Sequence, residues 1–180
     1  MSEPTERKST LQAAARYGLY TGLMLVFIQT IQYLAGLYVS FFFSIITGSL
    51  FIVALVLSIR NYRDKELNGW MNYGEGVSLG TLISIASGLI YGAFMLLLVT
   101  LIDKTYFEEL IIQTQEMMEA SKVPDDVVEK AIDQMQENSS PLQFAYGPLV
   151  QYGVSGLIIS LIVSIFFRKA PENSFEKDTL

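Results

Sequence analysis

The feature that most constrains this chain is a set of long apolar runs without a single charge. Residues 17–35, 41–59, 77–102 and 149–167 hold no Asp, Glu, Lys or Arg. Runs near 20 residues are the length that crosses a hydrocarbon core of about 30 Å as a helix. A soluble domain of 180 residues that is 51% hydrophobic would disperse its apolar residues to give amphipathic elements. Here they are concentrated, which predicts an all-α integral membrane protein, a four-helix bundle with a helical insert between its third and fourth spans.

The expected organisation is a polar N-terminal segment at 1–16, transmembrane helices 1–3 within 17–102, an insert at 103–147, a fourth transmembrane helix at 148–167 and a polar tail at 168–180. Gly36 and Ser40 flank the first turn, and Asn68-Gly69 marks the loop after the second span. The third run would be roughly 39 Å long at about 1.5 Å per residue, more than the apolar core, so it tilts or projects. Residues 1–16 are charged, and the apolar run after them is longer than a signal h-region. Ala13, Ala14 and Ala15 precede that run rather than follow it, so the first helix is expected to be retained.

Lys and Arg set the expected orientation. The N-terminal segment (Arg7, Lys8, Arg16), the loop after the second span (Arg60, Arg63, Lys65) and the tail (Arg168, Lys169, Lys177) carry three each, against three (Lys104, Lys122, Lys130) in 103–147. The positive-inside rule places both termini in the cytoplasm and 103–147 outside. Tyr17, Tyr20, Tyr62, Trp70 and Tyr73 would mark the inner interface, and Tyr38, Tyr106, Tyr146 and Tyr152 the outer one.

The insert has helical periodicity. Phe107, Leu110, Ile111, Thr114, Met117 and Met118 form one face; Val127, Val128, Ala131, Ile132 and Met135 form another. Pro124 suits a first helical position, Asp125 and Asp126 a first turn, and Ser121-Lys122-Val123 the break. The expectation is an extracytoplasmic amphipathic hairpin. Ten acids against three lysines give it a charge of −7, so the chain's net −6 is concentrated there.

Several short motifs recur in order: Ala15-Arg16-Tyr17-Gly18-Leu19-Tyr20-Thr21-Gly22, Ser58-Ile59-Arg60-Asn61-Tyr62-Arg63, Tyr73-Gly74-Glu75-Gly76, Ile90-Tyr91-Gly92 and Ile102-Asp103-Lys104-Thr105-Tyr106. Over roughly residues 12–168 this order resembles the bacterial membrane family called domain of unknown function 4199. In such a family a proline is expected after the aspartate, where Lys104 stands here. The resemblance implies four spans with a long insert before the last, and brings no activity, substrate or catalytic residue.

Within the third run Gly76, Gly80, Ser84, Gly88 and Gly92 recur every four residues. Small residues at this spacing let helix backbones approach closely in lipid. Four steps of 400° drift the row by about 160° around a helix of 3.6 residues per turn. One straight partner would not meet all five, so two neighbours are expected to share them. Gly18 and Gly22 in the first run, and Gly156, Ser160 and Ser164 in the fourth, supply matching small surfaces. Packing within the monomer is the leading reading, with packing between subunits and a permeation path behind it.

Gln29 and Gln32 lie on one face of the first run and point to interhelical hydrogen bonding or contact with the outer interface, with a polar substrate site as the minority reading. Glu75 is expected to meet the positive end of the third helix, with a salt bridge to an inner-face arginine or a functional gate as the lesser readings, and Asp103 to cap Lys104–Tyr106. The pairs Glu108/Glu109 and Asp125/Asp126 lack the alternating oxygen ligands of a calcium loop. With neither His nor Cys, the commonest general base and thiolate sites are missing. Catalytic residues, metal sites and cofactors are therefore not expected. Net acidity argues against nucleic acid, and charge-free spans argue against a proton-coupled carrier. The expected function is a non-enzymatic scaffold or accessory subunit acting through helix packing and an acidic outer hairpin. The expected partners are the bilayer, a membrane or extracytoplasmic protein, or a second copy of the chain. The alternative is a small oligomeric transporter or channel not coupled through intramembrane acids.

Overall fold

A computed structural model of the chain describes residues 10–137 and 140–168. Expectations for residues 1–9 and 169–180, most of the two polar ends, lie outside the described residues. The fold is all-helical: α1 Thr10–Leu34, α2 Phe41–Glu66, α3 Tyr73–Leu97, α4 Tyr106–Ala120, α5 Asp125–Glu137 and α6 Pro141–Phe167. α3 continues into a single π-turn, Leu98–Ile102, closed by the Asp103 N–H donating to the Leu98 carbonyl at 2.8 Å. With that extension, α1, α2, α3 and α6 are each long and apolar enough to cross a membrane.

Helix ends follow local chemistry more than hydropathy. α1 begins seven residues before the apolar run, because Leu11 to Ala15 include good helix formers. α2 continues through the charged residues expected to form a loop, down to Glu66. Arg60, Asp64 and their neighbours suit a helix, and Arg60 lies 3.6 Å from Asp64 one turn on. α6 starts at Pro141, with Ser140 before it at the N-cap position. Proline is favoured at a helix's first position, and the helix therefore takes in seven residues expected to belong to the insert. The turns fall where glycine was expected: Gly36 and Gly69 have φ of 67° and 85°, a region costly for residues with a Cβ.

α3 is the central helix. It packs most extensively on α6, then on α1, while α2 touches the other three more sparsely. Its Leu79 and Ile83 belong to the same buried apolar cluster as Leu25 of α1, Leu55 and Ile59 of α2 and Val163 of α6. The outward faces remain apolar: Leu34, Phe41 and Phe166 are 77%, 77% and 78% exposed. Apolar area distributed around all four long helices is a liability in water and unremarkable against lipid tails.

The small-residue row corrects one expectation. All five positions face α6. Gly76 lies against Ser164, Gly80 against Ser160 and Ser84 against Gly156, an antiparallel register advancing four residues on each helix. Gly88 then meets Leu149 and Pro148, and Gly92 meets the Ala145 carbonyl. The register has slipped by three residues on α6, next to Pro148, which has no N–H to donate to residue 144. A row spaced by four is inclined to its helix axis, and an obliquely crossing neighbour follows it. The row is therefore followed along its whole length by α6, and α2 joins it only at Gly80, which also lies against Ile59.

α1 uses a different face of α3. Gly18 sits against Ala86 and the Ile83 carbonyl, and Gly22 against Ile90. The Ser87 hydroxyl lies between the Ile83 carbonyl at 2.8 Å and the Gly18 carbonyl at 3.2 Å. Ser84 and Ser160 donate to carbonyls of their own helices, those of Gly80 and Gly156, so both act as small residues with satisfied hydroxyls.

Candidate functional site

The α4 end of the molecule carries a polar and aromatic latch. Gln29, 8% exposed within α1, receives a hydrogen bond from the Tyr91 hydroxyl at 2.7 Å through its Oε1. Its Nε2 donates to the Tyr106 hydroxyl at 3.2 Å. One amide thus joins α1, α3 and the first residue of α4, with both its donor and acceptor functions engaged. The Tyr106 ring packs against Tyr38 with centroids 5.0 Å apart and against Phe144 of α6 at 6.0 Å.

Gln113, about two turns further along α4, holds the α1–α2 turn. Its Nε2 donates to the Gly36 carbonyl at 2.7 Å, and its Oε1 accepts from the Val39 N–H at 3.1 Å. Both backbone groups lie beyond the hydrogen-bond ladder of a helix, so the side chain supplies partners they would otherwise take from water. Asp103 accepts from the Thr105 hydroxyl at 2.7 Å and the Thr105 N–H at 2.9 Å, and the Tyr38 hydroxyl lies 3.4 Å from its other oxygen. The Thr105 hydroxyl, more than any other contact, holds the Asp103 carboxyl below the usual carboxylate range. Burial first, and then the Asp103 charge, push the Tyr38 phenol up; burial does the same to Tyr106.

Beside the latch is a cavity of about 430 Å³ between the sparsely packed α2 and its neighbours. α1 lines it with Gln29 and Gln32, and α2 with Ser44, Thr47, Gly48, Phe51 and Ile52. α3 contributes Tyr91, and α6 contributes Gln151, Tyr152, Ser155 and Ile159. The lining mixes amides and hydroxyls with apolar side chains and carries no Asp, Glu, Lys or Arg. A second cavity, of about 670 Å³, lies under α4 and α5 among Met95, Phe107, Leu110, Met135 and Phe144. It shares Tyr91 and Gln151 with the first.

The remaining site residues separate. Glu75 is at the opposite end of α3, where its carboxylate accepts the Asn72 N–H at 2.9 Å and closes the helix start. At the same end Arg16 pairs across helices with Glu66. Arg63 lies over the Phe167 ring of α6 at 5.2 Å. Among the described residues no three acidic side chains converge where a metal ion would be held.

Sequence reasoning missed Ser87, Tyr91, Gln113 and Gln151, and placed Tyr152 at the outer interface. Tyr152 lies eleven residues inside α6, packed on Phe51 at 4.9 Å and Tyr91 at 5.6 Å. Gln151 carried a usable signal, an amide inside a charge-free run, the same signal that singled out Gln29 and Gln32. Gln113 carried none, since a glutamine on an amphipathic helix ordinarily faces water.

A family model described as Protein of unknown function (DUF4199) matches residues 16–169. The chain belongs to that family. No curated protein and no solved structure matches. The match to DUF4199 runs from the α1 arginine that pairs with Glu66 to just beyond α6. It therefore includes α4, α5, the latch and both cavities, and assigns an activity to none of them.

Proposed function

We propose that this DUF4199 protein is a non-enzymatic, multi-pass protein of the bacterial inner membrane, a four-helix bundle that presents the α4–α5 pair at the outer face to a protein partner. Both termini are cytoplasmic in this reading, in keeping with the basic residues near them. The observation that carries it is the latch. Gln113 and Tyr106 fasten α4 to the α1–α2 turn and to Gln29, while the acids Glu108, Glu109, Glu116 and Glu119 of α4 and Asp125, Asp126, Glu129 and Asp133 of α5 stay exposed. A charged helix fastened to its bundle, as α4 is, loses less conformational freedom on binding than a loose one, which favours recognition of a basic surface.

Carbodiimide coupling in membranes, followed by mild detergent extraction and mass spectrometry, tests this directly. The expected product joins α4 or α5 carboxylates to lysines of one recurrent protein. It should disappear when the acids of both helices are changed to their amides. Recovery of the uncoupled chain alone would overturn the partner reading. The cavity lining favours a second reading, a small oligomeric channel or transporter, for which solute flux in liposomes containing the purified chain is the decisive measurement.

A further inference from the structure

The cavity between α2 and its neighbours contains more hydrogen-bonding capacity than the chain uses. Among the described residues the side chains of Gln32, Thr47, Gln151 and Ser155 make no hydrogen bond within the protein. They sit on three of the long apolar helices, where unpartnered amides and hydroxyls are costly if lipid surrounds them. Their cavity, about 430 Å³, falls in the range of roughly 300–1,000 Å³ that encloses small molecules. An aromatic wall closes one side, with Tyr152 between Phe51 and Tyr91.

From this juxtaposition we infer that the cavity binds an uncharged, hydroxyl-rich group, such as the ring of a neutral saccharide. Three features define that class. No Asp, Glu, Lys or Arg lines the cavity, so a charged ligand would lose its hydration with no counter-charge to offset it. Amides supply both donors and acceptors, and hydroxyls do the same, which suits a ligand whose groups are themselves hydroxyls. Aromatic rings accept the apolar C–H face that such rings present alongside their hydroxyl rim. Two sources carry this chemistry. A free saccharide would arrive through the adjoining cavity, which meets this one at Tyr91 and Gln151. A neutral glycolipid would bring its head group in from the bilayer, past the sparsely packed α2.

The test uses the full chain in phosphatidylcholine nanodiscs, with three probes. The first is methyl glucoside in solution, the second is monoglucosyl diacylglycerol in the disc, and the third is phosphatidylglycerol in the disc as a charged comparison. Melting temperature and native mass spectrometry report binding. The inference expects the first or the second probe to bind and raise the melting temperature, and the third to do neither. A response to methyl glucoside identifies a soluble ligand; a response to the glycolipid alone identifies a bilayer source. Gln32→Leu combined with Gln151→Leu should weaken binding about tenfold or more, the scale of one or two lost hydrogen bonds. Neither glutamine has a partner in the chain to lose, so the unliganded variant should melt close to the wild type. Absence of binding by both neutral probes overturns the inference, as does equal binding of phosphatidylglycerol. So does a double variant that folds and binds as tightly as the wild type.

Discussion

Gly88 illustrates how much depends on the absence of a side chain. A methyl group placed on it would lie 3.0 Å from the Leu149 Cα and 3.1 Å from the Pro148 carbonyl oxygen, both backbone atoms of α6. Flexible side chains move aside cheaply, whereas the backbone of a packed helix does not. Gly88→Leu is therefore expected to destabilise the protein by about 1–3 kcal/mol, the usual scale of overpacking. Ala93, on the exposed surface of the same helix, should tolerate leucine with little change, since lipid tails accept the added carbons. Melting temperatures of the two variants in one detergent make the comparison. Equal melting would mean that α3 and α6 do not meet closely at Gly88. The same residue-scale logic explains why Ser84 in the row and Ser160 opposite Gly80 do not weaken the contact. Ser84 and Ser160 direct their hydroxyls to carbonyls within their own helices, leaving only a small surface towards the neighbour.

At the scale of elements, α4 and α5 differ in how they are held. α4 is tied to the long helices by side-chain hydrogen bonds and by the Tyr106 and Phe107 contacts with Phe144. α5 packs chiefly on α4, with Val128 as its buried residue. The turn between them places Lys122 at a φ of 57°, an exposed left-handed residue and a natural site of cleavage. Val128→Asp puts a charge where α5 meets α4 and should make cleavage after Lys122 at least several-fold faster. Glu116→Lys, on an exposed position of α4, should leave the rate near that of the wild type. Limited trypsin digestion of the folded protein distinguishes them, and equal rates would mean that α5 is not packed through Val128. The periodicity of both helices was legible in the sequence because their apolar residues recur at helical spacing. Their attachment was not, because Gln113 and Gln29 act through groups far away in the chain, 77 residues apart in the Gln113–Gly36 and Gln29–Tyr106 pairs alike.

For the whole molecule, orientation is the property with the clearest measurement. Nine basic residues flank the proposed cytoplasmic side and three lie in the segment containing α4 and α5. A reporter active only in the cytoplasm should be active when fused after Leu180 and silent when inserted at Ser121. The opposite pattern would invert the proposed topology and put the acidic pair in the cytoplasm. The number of long helices, their approximate limits, the acidic insert and the family were all available from sequence. Each rests on local quantities: hydropathy over a window, charge near a helix end, and motifs in order along the chain. The assignment of the whole Gly76–Gly92 row to α6, the use of a second face of α3 by α1, and the cavity beside α2 were decided by tertiary structure. Spacing by four specifies an inclined row of small residues, but a row does not specify which helix crosses it or at what angle. A cavity is still further from local sequence, since it is the space left where α2 fails to close on three neighbours. The sequence supplied the glutamines and tyrosines; only the crossing of the helices brought Gln32, Thr47, Gln151 and Ser155 to face the same space.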